Sequence, residues 1–127
     1  MKTGESFRRY WSFLIIYTLI IFSISTLPGS AFEEMPQIPF ADKIAHALLY
    51  LALGFISLRA FLRRRRLLLS YFLFSLAYCI FIGILDEYYQ SFIPQRVTDI
   101  GDLLADTIGA FIGTLFYIKF PKAITLF

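Results

Sequence analysis

Four apolar stretches, each close to the length that crosses a bilayer as a helix, constrain this chain more than any other feature. They run from Tyr10 to Leu27, Lys43 to Phe61, Leu67 to Leu85 and Ile100 to Ile118. A helix rising ~1.5 Å per residue needs about 20 residues to cross roughly 30 Å of hydrocarbon. The connections are too short to hold a second domain, so residues 1–127 read as a single transmembrane domain. The composition agrees: 58% hydrophobic residues, 19% aromatics and a mean hydropathy of +0.69 lie far from the soluble average. The expected fold is all-α, an integral membrane four-helix bundle.

Charge sets the expected orientation. Lys2, Arg8 and Arg9 precede the first stretch, Arg59 and Arg63 to Arg66 join the second to the third, and Lys119 and Lys122 follow the fourth. These are ten of the twelve basic residues, and Lys and Arg near helix ends resist translocation. Both termini should therefore be cytoplasmic and the two other loops should face outward. Those loops hold only Lys43 and Arg96 among basic residues, beside Glu33, Glu34, Asp42, Asp86, Glu87 and Asp99. A rival reading takes the first stretch as a secretory signal ending at Gly29-Ser30-Ala31, but its apolar run exceeds the ~7–15 residues of a signal core and suits an uncleaved helix. The net charge of +3 and the arginine run are explained by topology and contact with membrane lipids, not by nucleic acid. Cys79 is the lone cysteine, so no internal disulfide is possible and packing is its expected role.

The polar residues follow helical rules. Asp42 and Asp99 stand where N-caps of the second and fourth helices belong. Pro28-Gly29, Pro36 and Pro39 make the first outer loop extended. Tyr88, Tyr89 and Phe92 suit the headgroup boundary. Gly109 and Gly113 have the spacing that lets two transmembrane backbones approach closely, read here as a packing face and not as evidence for a dimer. The oligomeric state stays open.

Residues three, four and seven apart share a helix face. On the second helix Lys43, His46 and Tyr50 obey that rule. On the third Asp86 and Gln90 do, with Glu87 one position around, and on the fourth Asp99, Asp102 and Asp106 form a stripe descending about 10 Å into the membrane. A charge facing lipid costs at least ~2.5–3.5 kcal/mol, so the stripes should face one another around a hydrated pocket open to the outside. His46 could then bond Asp102 or Asp106, and Arg96 could pair with Asp86 or Glu87.

The pattern Asp42-Lys43-x-x-His46-x-x-x-Tyr50, then Asp86-Glu87-x-x-Gln90-x-Phe92, Arg96-x-x-Asp99-x-x-Asp102 and Gly109-x-x-x-Gly113 resembles the VanZ-like family of small membrane proteins. The likeness covers roughly residues 42–113 and carries little of the first helix. It matches the family pattern at Asp42, Lys43, His46, Tyr50, Asp86, Glu87, Gln90, Arg96, Asp102 and Gly109. Position 106 departs from it, since members often have Asn where this chain has Asp106. The resemblance implies a multi-pass protein of the bacterial cytoplasmic membrane, related to a protein associated with resistance to the glycopeptide teicoplanin.

Three functional classes fit these residues. An enzyme acting on a lipid-linked or cell-wall-related ligand at the outer face would use His46 with Asp102 or Glu87 for acid–base work. Lys43 and Arg96 would hold an anionic headgroup, with Asp42, Tyr50, Asp86, Gln90, Asp99 and Asp106 completing the ligand site. No serine nucleophile elbow, phosphate loop or zinc-protease motif is present. No cofactor is called for: one His and no outward Cys argue against tight zinc, and a hard divalent cation with oxygen ligands fits better. The carboxylates need no metal, however: Lys43, Arg96, backbone donors and water are the more ordinary way to satisfy them. The second class is a non-catalytic protein that binds or shields a headgroup, a peptide carboxylate or a glycopeptide. The third is a small proton-coupled carrier, suggested by Asp102 and Asp106 within the membrane.

Overall fold

The computed structural model describes residues 4–122, so Lys2 lies outside the described residues. Four long helices account for most of them: α1 (Gly4–Ser25), α2 (Ala41–Phe61), α3 (Leu68–Gln90) and α4 (Ile100–Lys119), with short 3-10 turns at Gly29–Phe32 and Arg65–Leu67. No strand occurs among the described residues. All four helices are long and apolar enough to cross a membrane, and the chain is a multi-pass membrane protein.

The helices pack as a bundle in which α2 and α3 are central: each touches both α1 and α4, while among the described residues α1 and α4 do not pack on one another. The inward face of α1 buries Leu14 and Ile21 against Tyr50, Leu53 and Cys79. The outward faces carry Leu19, Ile44, Leu69, Phe74, Phe81 and Ile108, all more than half exposed. Such a ring of exposed apolar side chains would be a liability in water and is what a hydrocarbon solvent requires. Cys79 is buried beside Ser57, itself hydrogen-bonded to Ser75, in agreement with a packing role.

The helix pair α2 and α4 meets at backbone distance. A Cβ built on Gly109 would sit 2.1 Å from the Ala47 carbonyl oxygen, and one on Gly113 would sit 1.9 Å from that of Leu51. Gly54 makes the same concession from the α2 side, where a Cβ would lie 2.3 Å from the Ala110 oxygen. The small-residue spacing read from the sequence is thus an intramolecular packing face, widened by a glycine on the facing helix.

Helix ends differ from expectation in one place. Asp42 does not cap α2. The chain turns through Pro36 to Phe40, with Ile38 N–H bonding Pro36 O at 2.9 Å and Ala41 N–H bonding Ile38 O at 3.1 Å, and the helix starts before Asp42 is reached. Phe40 is the cap residue, left-handed at φ 60°, with no side-chain cap bond. Asp42 instead stands in the first turn, where a carboxylate favours the helix dipole. Asp99 does cap α4, its Oδ1 accepting from Gly101 N–H at 2.8 Å. α3 continues beyond Leu85 to Gln90, which keeps Asp86, Glu87 and Gln90 on a rigid helix.

The two loops at this end are tied together. Gly29 N–H donates to Pro94 O at 3.1 Å and Ser30 N–H to Gln95 Oε1 at 3.1 Å. A side chain at position 29 would strike the Gln95 carbonyl, and Gln95 itself is left-handed at φ 61°.

Candidate functional site

The polar stripes of α2, α3 and α4 meet at the end of the bundle where α2 and α4 begin. Lys43 reaches across from α2 and donates to Asp42 Oδ2 at 3.0 Å, Asp99 Oδ2 at 2.7 Å and Asp102 Oδ1 at 2.6 Å. An ammonium has three protons, and each has a carboxylate partner. That hydrogen bond from Lys43, with the Gly101 cap bond, holds the Asp99 carboxyl below the usual carboxylate range.

One turn deeper, His46 lies between the other two carboxylates of the stripe. Its Nδ1 is 2.8 Å from Asp106 Oδ1 and its Nε2 is 3.9 Å from Asp102 Oδ2. Of the two alternatives read from helical spacing, the hydrogen bond forms to Asp106, which is 1% exposed, while Asp102 stands beyond hydrogen-bond reach. A carboxylate on one ring nitrogen fixes the tautomer and aims the other nitrogen. Glu87 approaches from α3: Oε2 accepts from Asp99 N–H at 3.3 Å, while Oε1 is buried without a partner. Asp106 Oδ2 and the hydroxyl of Tyr50, one turn below His46, are also buried and unpartnered. Gly83 of α3 leaves room beside them, since a Cβ there would come within 3.2 Å of Asp106 Oδ2 and 3.6 Å of the Tyr50 ring.

Asp86 and Gln90 form a separate buried pair facing α1. Gln90 Nε2 donates to Asp86 Oδ2 at 2.9 Å and to Ser25 Oγ at 3.2 Å, and the Ser25 hydroxyl donates to Asp86 Oδ1. Ser25 was not legible as a site residue: it is a lone hydroxyl at the end of an apolar helix, and its partner lies 61 positions away. The expected pairing of Arg96 with Asp86 or Glu87 does not form. Its guanidinium instead sits 5.0 Å from the Phe32 ring, held there in a loop whose path is fixed by the Gly29–Pro94 contact, and its Nε is buried without a partner.

At the opposite end, a cavity of about 730 Å³ lies between the α1 start, the α2 end and the α4 end. Its lining includes Arg59, only 9% exposed, whose Nη2 donates to Tyr10 OH at 2.6 Å and whose guanidinium lies 3.9 Å over the Tyr10 ring. A cation in the last turn of α2 also complements the helix dipole. The sequence placed Arg59 among the topological charges; the structure buries it and gives it a half-buried partner on α1. The carboxylate cluster lies at the other end.

What the α2 end can do chemically follows from its contents. Five carboxylates (Asp42, Asp99, Asp102, Asp106 and Glu87) surround one ammonium and one imidazole, so the cluster is acidic, and its one group suited to proton exchange near neutral pH is His46. The ligand-capable atoms of His46, Glu87 and Asp106 lie within 4.8 Å of one another. A family model described as VanZ/LLP1 matches residues 3–124, which extends the likeness across α1 and to the end of α4. No curated protein and no solved structure matches the chain.

Proposed function

From the premise that the chain belongs to the VanZ/LLP1 family, we propose that it is a bacterial envelope protein of the cytoplasmic membrane whose acidic end faces outward and acts on a lipid-linked or cell-wall-related ligand. The observation that carries this reading is the contact of His46 Nδ1 with the buried Asp106, which leaves Nε2 directed toward Asp102. A helix-borne imidazole oriented by one carboxylate and adjacent to another is an arrangement for moving a proton. Lys43 acts as the fixed counter-charge that holds Asp42, Asp99 and Asp102 in place. Arg96, with no carboxylate partner among the described residues, is the cation suited to an anionic headgroup. Protection against glycopeptides such as teicoplanin would follow if the altered ligand were the drug's target or its surroundings.

A non-catalytic binding role is the second reading, favoured by the rigidity of the cluster: its groups stand on three packed helices and Lys43 alone locks two of them together. The two readings part at His46. Cells expressing the native chain or His46→Gln at matched membrane levels are compared for lipid and wall-precursor species by mass spectrometry and for glycopeptide susceptibility. The acid–base reading predicts a species that shifts with the native chain and reverts with His46→Gln. Protection that survives the substitution with no species changed would overturn it in favour of binding.

A further inference from the structure

We infer that His46, Glu87 and Asp106 form a binding site for a divalent cation of the Mg²⁺/Mn²⁺ class. The inference rests on the reading that this cluster is the working site, but not on the role given there to His46. Three observations carry it. One ring nitrogen of His46 and one oxygen each of Glu87 and Asp106 lie within 4.8 Å of one another, donated by α2, α3 and α4 in turn. Ligands about 2.0–2.1 Å from a shared octahedral ion stand roughly 3–4 Å apart, so small side-chain rotations close the set.

The second observation concerns unmet valences. Asp106 is 1% exposed, yet its Oδ2 has no hydrogen-bond partner, and the same holds for Glu87 Oε1 and for the Tyr50 hydroxyl, also on a residue 1% exposed. Buried carboxylate oxygens almost always find a donor, and the ones that do not call for an ion or a water. Asp106 Oδ2 faces the space that Gly83 leaves open.

The third is charge. Lys43 is already shared by Asp42, Asp99 and Asp102, so it does not compensate Glu87 and Asp106. An anionic headgroup would meet repulsion from this cluster unless a further positive charge were present. A 2+ ion beside these two carboxylates supplies it and offers remaining positions to phosphate or carboxylate oxygens. One imidazole with two carboxylates is an oxygen-rich set suited to Mn²⁺ or Mg²⁺ more than to structural zinc. In the loaded state His46 gives a ring nitrogen to the ion.

Mn²⁺ itself is the probe. Purified full-length protein in detergent is titrated with Mn²⁺ while the six-line spectrum of the free ion is followed by electron paramagnetic resonance. The expected result is loss of free signal to about one ion per chain, competed by Mg²⁺, with affinity weakened about tenfold or more by Glu87→Gln and by Asp106→Asn and unchanged by Glu34→Gln. Helix content and elution volume are checked for each variant. If Asp106→Asn does not fold, Glu87→Gln carries the comparison, because Glu87 is only partly buried. A native chain that leaves the free-ion signal untouched, or a Glu87→Gln chain that binds like native, overturns the cation site. A His46-dependent lipid change without Mn²⁺ binding overturns only this inference, whereas Mn²⁺ binding without any lipid change overturns only the acid–base reading.

Discussion

Asp99 performs two tasks with one carboxylate, Oδ1 accepting the Gly101 cap bond and Oδ2 accepting from Lys43. Because both partners favour the charged form, its folded pKa lies below its unfolded value. A depressed carboxylate pKa contributes stability that is present above the unfolded value of about 3.9 and is lost as pH falls through the folded value. Native protein should therefore unfold at higher temperature than Asp99→Asn at pH 7, and the gap should close as pH falls below about 4. A gap that persists undiminished at pH 2, measured by circular dichroism in detergent, would show that Asp99 acts through packing alone. At this scale the sequence was readable where the signal is local. The Asp99 cap needs only its own helix start, and two helix faces narrow the partner of His46 to Asp102 or Asp106, between which the structure chooses Asp106. Asp42 was misplaced because the turn from Pro36 to Phe40 begins α2 early. Ser25 and Arg59 were invisible as partners because Asp86 and Tyr10, which complete them, lie on other helices far along the chain.

Among elements, the α2–α4 pair sets the geometry of the site, since Lys43 and His46 come from one and Asp99, Asp102 and Asp106 from the other. Helix propensity alone says that Gly113→Ala should stabilise by about 1 kcal/mol. The structure says the opposite, because the new Cβ would lie 1.9 Å from the Leu51 carbonyl oxygen and 2.7 Å from its carbon. Backbone cannot step aside as a side chain can, so overpacking of about 1–3 kcal/mol or more should prevail and part the two helices. Gly113→Ala should lower the unfolding midpoint in detergent, while Gly4→Ala, which meets nothing within 4 Å, should not. A Gly113→Ala protein as stable as native would mean that the helices do not approach this closely. The helices themselves were legible from length and apolarity. The sequence showed one small-residue face but not its partner: Gly54 became meaningful only against Ala110, which no local pattern reveals.

For the whole molecule, the segregation of charge is the organising fact. Arg8, Arg9, Arg59, Arg63, Arg64, Arg66, Lys119 and Lys122 lie at one end of the bundle, and the carboxylate cluster lies at the other. The proposed ligand class depends on which side of the membrane that cluster opens to, and basic residues near helix ends are retained on the cytoplasmic side. Single cysteines placed by Pro36→Cys, Pro94→Cys and Arg64→Cys, in a chain whose buried Cys79 is replaced by Ala, test this directly with a membrane-impermeant thiol reagent on intact cells. The account predicts labelling at positions 36 and 94 without permeabilisation, and at position 64 only after it. Labelling at position 64 in intact cells with none at 36 and 94 would place His46 and its carboxylates in the cytoplasm and contradict an envelope ligand reached from outside.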